Sequence, residues 1–406
     1  MNIRRILPII GLQLVTLIFC ALSQGAVNVQ CPGDTNGDGQ WTGSEVQPPN
    51  TQCIHLVAGD GFINMTDGHL QYIFGFSDAT GVLPANVMGT GMLAANFPGP
   101  TIKVKEGSNV YLTLTNGGMI MRPDLFDPHS VHFHGFPNAA PIFDGEPMAS
   151  LAINMGSSLT YYYVAPDPGT YLYHCHVEAT EHMQMGMLAN LWVTPLQDGT
   201  TVSGCASQKY VFNDGDGSTC YDVDFPIQIS GFDSSFHDLH IGVQPLPFAA
   251  MDDKYPMLNG RGYPDTVNPA PIVTAPMDGV TPSQRLSALI TAAPGQRVLL
   301  RISSLSTTSF HTLESAGIPM RVVGRDAALL RGPSLDNGIT PGIDLSYDAN
   351  SVTVGGGQST DVLLQIPQIP FVVPGETTYF LYVRELEHMN NDKDRFGGMM
   401  TEIRVQ

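Results

Sequence analysis

The 406 residues carry a formal charge of −19, with 43% hydrophobic and 14% charged side chains. That balance belongs to a folded globular chain and excludes a disordered one; its acidity repels phosphate backbones, so nucleic acid is not an expected partner. The length suits two or three domains, and 43 Gly with 31 Pro, neither periodic, suit a turn-rich β protein.

The chain opens with Arg4-Arg5, an apolar run from Ile6 to Ala21 and the small-residue site Ala21-Leu22-Ser23. This is the pattern of a secretory signal, and the run is too short and too early for a membrane span. Residues 1–23 are therefore assigned to a signal peptide. The mature protein is expected in the periplasm or outside the cell, with no membrane span. Of the six cysteines, Cys20 leaves with the leader. Cys31 with Cys53 and Cys205 with Cys220 are predicted as two local disulfides, one of three pairings that four cysteines allow. Cys175 is left over, between two histidines.

Residues 24–54 form a polar segment closed by the first disulfide. Within it, Asp34, Asn36, Asp38, Gln40 (through its main-chain carbonyl) and Glu45 fit the spacing of a twelve-residue calcium loop. No flanking helices are evident, so the expectation is a structural calcium loop rather than an EF-hand pair.

Residues 55–197 alternate in the manner of strands. Ile102 and Val104, then Val110, Leu112 and Leu114, flank the turn Glu106-Gly107-Ser108-Asn109, a hairpin signal. Leu159, Tyr161 and Tyr163 precede Pro166-Asp167-Pro168-Gly169, and Tyr171-Leu172-Tyr173 runs into the first histidines of His174-Cys175-His176. Residues 198–224 read as a linker. Residues 225–406 repeat the plan: Pro294-Gly295-Gln296-Arg297 leads to Val298, Leu300 and Ile302, and Pro374-Gly375 leads to Tyr379-Phe380-Leu381-Tyr382. Two copies of one β unit predict an all-β chain of two tandem Greek-key sandwiches.

The chemistry lies in two runs, His129-Ser130-Val131-His132-Phe133-His134-Gly135 and His174-Cys175-His176 through His182 to Met187. Alternate residues of a strand face the same way, so Cys175 points away from its two neighbours. Cys175, His129, His182 and a methionine offer the ligand set of a blue electron-transfer copper. His132, His134, His174 and His176 offer four imidazoles on the other face, a set that suits copper.

These spacings, with Phe97-Pro98-Gly99-Pro100-Thr101-Ile102, Asp144-Gly145 and Asn259-Gly260-Arg261-Gly262-Tyr263-Pro264, resemble the multicopper oxidases over nearly the whole mature chain. The resemblance implies two cupredoxin-like domains, the first holding copper and the second lacking copper ligands. It implies His129, Cys175, His182 and Met187 as type 1 ligands, with Met183 and Met185 as rivals for the axial place. His132 matches a type 2 ligand; His134, His174 and His176 match type 3 ligands. The implied activity is one-electron oxidation of a phenol-like or metal-ion substrate, or of a redox protein, coupled to reduction of O2 to water, with Cys175 and its flanking histidines as catalytic relay.

The family uses eight histidines in four His-x-His pairs, and this chain has two. A homo-oligomer pooling two domain-1 faces is therefore expected. A copper nitrite reductase-like enzyme and a non-enzymatic blue-copper carrier are the alternatives. Asp127, Glu178 and Glu181 are candidates for moving protons or for orienting ligands. His237 with His240 reads as a solvated surface pair, His311 as a structural histidine, and His388 with Met399-Met400 as a decayed copy of His182 with Met187.

Overall fold

A computed structural model describes residues 29–202, 204–274, 281–334, 341–368 and 375–406. The expected leader, with Cys20, lies outside the described residues, as does Pro374. No helix among the described residues is long and apolar enough to cross a membrane.

Eight strands make the first unit: β1 Thr51–Asn64, β2 Leu70–Asp78, β3 Ile102–Lys105, β4 Asn109–Asn116, β5 His132–His134, β6 Ser158–Val164, β7 Gly169–His174 and β8 Leu188–Thr194. They form two four-stranded sheets, ordered β2-β1-β4-β6 and β3-β8-β7-β5. Alternation places the inward residues: Val110, Leu112 and Leu114 of β4 and Tyr161 and Tyr163 of β6 are buried in one core with Phe133 and Tyr173 from the facing sheet. The predicted hairpin at residues 106–109 is not formed. β3 pairs with β8 and β4 with β1 and β6, so the turn carries the chain from one sheet to the other. The alternation was a true strand signal, but period two cannot say which strand is the neighbour.

The second unit has its own core and, among the described residues, its own seven-stranded and five-stranded sheets and a two-stranded ribbon. The parallel pair β1 and β4 is matched by Val223–Ser230 with Arg297–Ser304, and the parallel pair β3 and β8 by Ile290–Ala292 with Met400–Val405. The repeat legible in the sequence is thus a repeat of pairing. Both expected disulfides form, Cys31–Cys53 and Cys205–Cys220. Cys53 stands on β1, so the first bridge ties the N-terminal loop to a central strand.

The two units meet sheet to sheet. Ser303 donates to Asn190 Oδ1 on β8 (2.8 Å), and Ser359 donates to the Thr170 carbonyl on β7 (2.5 Å). This packing lays the turns Leu305-Ser306 and Gly356-Gly357 of the second unit over the end of β7.

On β1, buried His55 lies 2.8 Å from the Thr115 hydroxyl through Nε2, while its Nδ1 has no partner. Desolvation lowers its pKa to about 4. The unfolded chain, with an ordinary value of about 6.5, therefore binds this proton first as pH falls. The contribution of neutral His55 is complete above about pH 6.5 and is lost as pH falls toward 4. His55→Gln, which keeps a polar group for Thr115, is expected to lose less stability than the parent between about pH 7 and pH 5, read as the shift in urea midpoint.

Candidate metal centre

Antiparallel pairing of β5 with β7 sets His132 opposite His174, Phe133 opposite Tyr173 and His134 opposite Leu172. Phe133 turns inward and stacks on Tyr163 at 4.1 Å between centroids, so the histidines on either side turn outward together. Beyond the strand end, Cys175 turns into the core. There its Sγ lies 3.2 Å from His182 Nδ1 and 3.9 Å from His129 Nδ1.

All three side chains are fully buried. His129 is fixed by paired backbone bonds with Ile153 (3.0 and 2.8 Å), and His182 by the helix Ala179–Met185. Gly186 ends that helix at φ 121°, where an added Cβ would lie 2.5 Å from the Phe74 carbonyl oxygen. This tight turn brings Met187 back beside Cys175, whose N–H donates to the Met187 carbonyl (3.1 Å). Met185 and Met187 share the core of Cys175. Met183 instead packs with Leu172, Leu188 and Leu305 and lines the four-histidine cavity.

Burial raises the Cys175 thiol to about 11 and lowers His182 to about 4; His129 is held well below its ordinary value. The Nε2 atoms of both imidazoles make no hydrogen bond. Two neutral imidazoles and a thiol converging in an apolar core leave their hydrogen-bonding capacity largely unused. A soft cation that expels the thiol proton resolves that arrangement. The residues present fit copper.

The second group lines a cavity of about 240 Å³ with His132, His134, His174 and His176 on one side and Leu305, Ser306, Gly356 and Gly357 of the second unit on the other. His132 Nδ1 lies 2.6 Å from the Asp144 carbonyl, and His174 Nδ1 lies 2.9 Å from the Cys175 carbonyl. A carbonyl only accepts, so both Nδ1 atoms carry hydrogen and both Nε2 atoms keep a free lone pair. His134 Nδ1 stands 3.3 Å from His174 Nε2. Desolvation is the main cause of the lowered pKa of His132, His134 and His174, keeping them neutral and able to bind metal. The His132 and His176 rings are 5.0 Å apart. No lining residue from the second unit offers a metal ligand side chain of the His, Cys or carboxylate kind.

Ser130 joins the two groups and was missed in the sequence. Its N–H donates to Cys175 Sγ (3.4 Å) and its hydroxyl accepts from the His176 N–H (3.1 Å). A small hydroxyl residue between two ligand histidines was the available signal. Gly145 closes the support of His132: at φ 77°, a Cβ there would lie 2.1 Å from the Val131 carbonyl oxygen. Gly145→Ala is expected to cost about 1–3 kcal/mol in urea unfolding through a strained φ and this clash.

Asp127 and Glu181 gather beside His182, with Asp127 Oδ2 3.9 Å from His182 Nε2. Neither they nor Glu178 line the four-histidine cavity. Glu181 lies 2.9 Å from His240 Nε2, and His240 Nδ1 lies 3.1 Å from Arg122. His237 and His240 are therefore not a solvated pair. Both are buried on the helix Ser234–Ile241, whose cap Asp233 accepts from the N–H groups of Ser235 and Phe236. An Asp cap followed by Phe236, His237 and His240 on one face was the overlooked sign.

In the N-terminal loop, Asp34 accepts from the N–H groups of Asn36, Gly37 and Gly39, and Asp38 from that of Gln40. Glu45 accepts from the N–H groups of Thr35 and Thr42. The candidate calcium ligands thus share one turn, with their carboxylates engaged by backbone N–H groups.

Two sandwiches, a buried His-Cys-His triangle and a histidine cavity one residue away define a cupredoxin-type protein. A family model described as multicopper oxidase matches residues 82–198. Multicopper oxidase MmcO of Mycobacterium tuberculosis is 26% identical over 64% of this chain and 47% of its own. L-ascorbate oxidase of Cucurbita pepo var. melopepo is 28% identical over 42% of this chain and 27% of its own. The chain thus spans less than half the length of these curated relatives. Among solved structures, the blue copper oxidase from Nitrosomonas europaea superposes with a TM-score of 0.61 at 22% identity, over 87% of this chain and 86% of that one. The copper nitrite reductase from the same organism superposes with 0.55 at 17% identity, over 88% and 94%, a likeness of fold. Residues 82–198 thus match the multicopper oxidases, a family whose cofactor is copper, and the solved neighbours share the fold of the chain.

Proposed function

We propose that this is an exported oxidase that takes electrons singly from a small phenol-like or metal-ion donor, or from a redox protein, and passes them to O2. His129, Cys175, His182 and Met187 hold a type 1 copper, and His132, His134, His174 and His176 hold type 2 and type 3 copper. The observation that carries the reading is the placement of Cys175. Its thiol stands in one metal group, while its carbonyl accepts from His174 of the other (2.9 Å) and its peptide continues into His176.

Copper bound in these places supplies one-electron redox chemistry and, in the cavity, a site for O2. The protein's own share is fixed in advance. Cys175 binds as thiolate once its proton leaves, and burial of His129 and His182 keeps them neutral. The Asp144 and Cys175 carbonyls hold the tautomers of His132 and His174, so their Nε2 atoms face the cavity without rearrangement. The turns at Leu305-Ser306 and Gly356-Gly357 wall the cavity opposite the histidines. Asp144 places Oδ1 3.6 Å from His132 Nδ1, behind that ring.

A full three-copper cluster needs nitrogen ligands from a second chain, which a symmetric oligomer provides. The test is copper content with O2 uptake. Two type 1 coppers and a three-copper cluster per dimer, with O2 consumed on a phenolic or ferrous donor, support the oxidase. One copper per chain without O2 uptake indicates a carrier; two per chain with nitrite reduction indicates the nitrite reductase plan.

A further inference from the structure

The second unit preserves more of a metal site than its missing cysteine suggests. In the first unit, the Cys175 N–H donates to the Met187 carbonyl (3.1 Å) and the Met187 N–H to the His182 carbonyl (2.8 Å). In the second, the Val383 N–H donates to the Met399 carbonyl (3.0 Å) and the Met399 N–H to the His388 carbonyl (3.1 Å). Val383 therefore takes the place of Cys175, Met399 that of Met187, and His388 that of His182.

Strand register supplies the fourth position. His132 pairs with His174, and Glu314 pairs with Tyr382, the residues preceding Cys175 and Val383 respectively. Three residues before Glu314 stands His311, as His129 stands three before His132. The rings agree: His129 and His182 lie 5.0 Å apart at 57°, His311 and His388 4.8 Å apart at 51°.

We infer that His311, His388 and Met399 form a further metal site in the second unit, one that takes Cu(I). The two imidazoles face each other through their Nδ1 atoms at 3.2 Å. Two nitrogens each about 2.0–2.1 Å from one tetrahedral metal lie about 3.3 Å apart. As an N–H···N hydrogen bond, the same separation is at the long limit. The other nitrogen of His311 lies 3.2 Å from the Ser306 hydroxyl, which orients the ring. His311, Val383 and Met399 are all fully buried.

The ligand set decides the oxidation state. Two imidazoles and a thioether are neutral, and the set includes no thiolate to offset a second positive charge. Soft, neutral donors favour the monovalent ion. The site is colourless and redox-silent next to the blue one. It borders the four-histidine cavity, because Ser306 lines that cavity and touches His311.

The proposal does not rest on the oxidase reading, since all three ligands come from the second unit. Its test is an anaerobic titration of the full-length apo-protein with Cu(I) against a chromophoric Cu(I) chelator. The parent is expected to hold one more tightly bound equivalent than His388→Ala/Met399→Leu, while both show the same visible absorption after copper loading in air. Equal numbers of Cu(I) equivalents overturn the site. A second variant guards against loss of folding in the first. Cys175→Ser/Val383→Cys removes the thiolate from the first unit and restores it in the second. An intense visible band in the copper-loaded protein supports the site, and a folded but colourless protein overturns it.

Discussion

Cys175→Ser is expected to abolish the intense visible absorption of the copper-loaded protein and to lower the proposed oxidase turnover about a thousandfold or more, some 4 kcal/mol in activation free energy. The colour requires a thiolate bound to copper between two imidazoles. A serine hydroxyl matches the thiol in shape and still accepts from the Ser130 N–H, so the core around position 175 stays filled. It does not deprotonate as the thiol does when metal binds, and it is a hard donor where a soft one is needed. His174 and His176 are untouched, so the cavity is expected to keep any copper it holds. Visible spectra and O2 uptake check the first part, and the cavity copper signal in electron paramagnetic resonance checks the second. Retained colour in the variant contradicts the ligand assignment.

Arg301→Met is the substitution with the largest expected cost to stability, about 3–5 kcal/mol. Arg301 is fully buried between the units. Its Nε lies 3.1 Å from Asp224 and one terminal nitrogen 3.8 Å from Asp361, while the guanidinium sits 4.9 Å over the Trp192 ring. Asp361 is itself fully buried and accepts from the Thr170 hydroxyl of β7 (2.6 Å). Without the arginine, that carboxylate keeps its desolvation without its counter-charge.

The sign with pH follows. Burial already raises the Asp361 pKa, and removing Arg301 raises it further. Folding of the variant then takes up a proton above the ordinary carboxylate range, so its deficit is largest near neutral pH and narrows as pH falls. Asp361→Asn in the same chain is expected to recover part of the loss by removing the stranded charge. Urea midpoints of the parent, single and double variants at two pH values check both statements.

Much of this was legible because copper chemistry demands particular side chains at strand spacing. His132, His134, His174 and Cys175 declare themselves by residue type, and the alternating faces of a strand separate them into two groups. The axial residue was harder. The resemblance favoured Met187 over its rivals Met183 and Met185; the helix Ala179–Met185 turns Met183 toward the cavity, while Gly186 returns Met187 to Cys175. Strand partners were also hidden. The alternation around residues 106–109 is the same whether the turn joins neighbours or crosses between sheets.

Buried histidines were the other blind spot. His237, between the carbonyls of Tyr72 and Gln184 at 2.5 and 3.0 Å, owes its place to packing of the helix Ser234–Ile241 on β2; the Asp233 cap signals the helix but not the surface that buries it. His311 looked structural because its partner His388 is 77 residues away. His388 could be matched to His182 in the sequence, but only the register of the folded strands shows His311 to be the counterpart of His129.

The central claim is that one strand end serves two copper sites on opposite sides of Cys175. Anomalous scattering at the copper edge from crystals of the copper-loaded protein tests it most directly. The account predicts one peak enclosed by His129, Cys175 and His182 and separate density among His132, His134, His174 and His176. Copper density in only one of these places, or at neither, contradicts it.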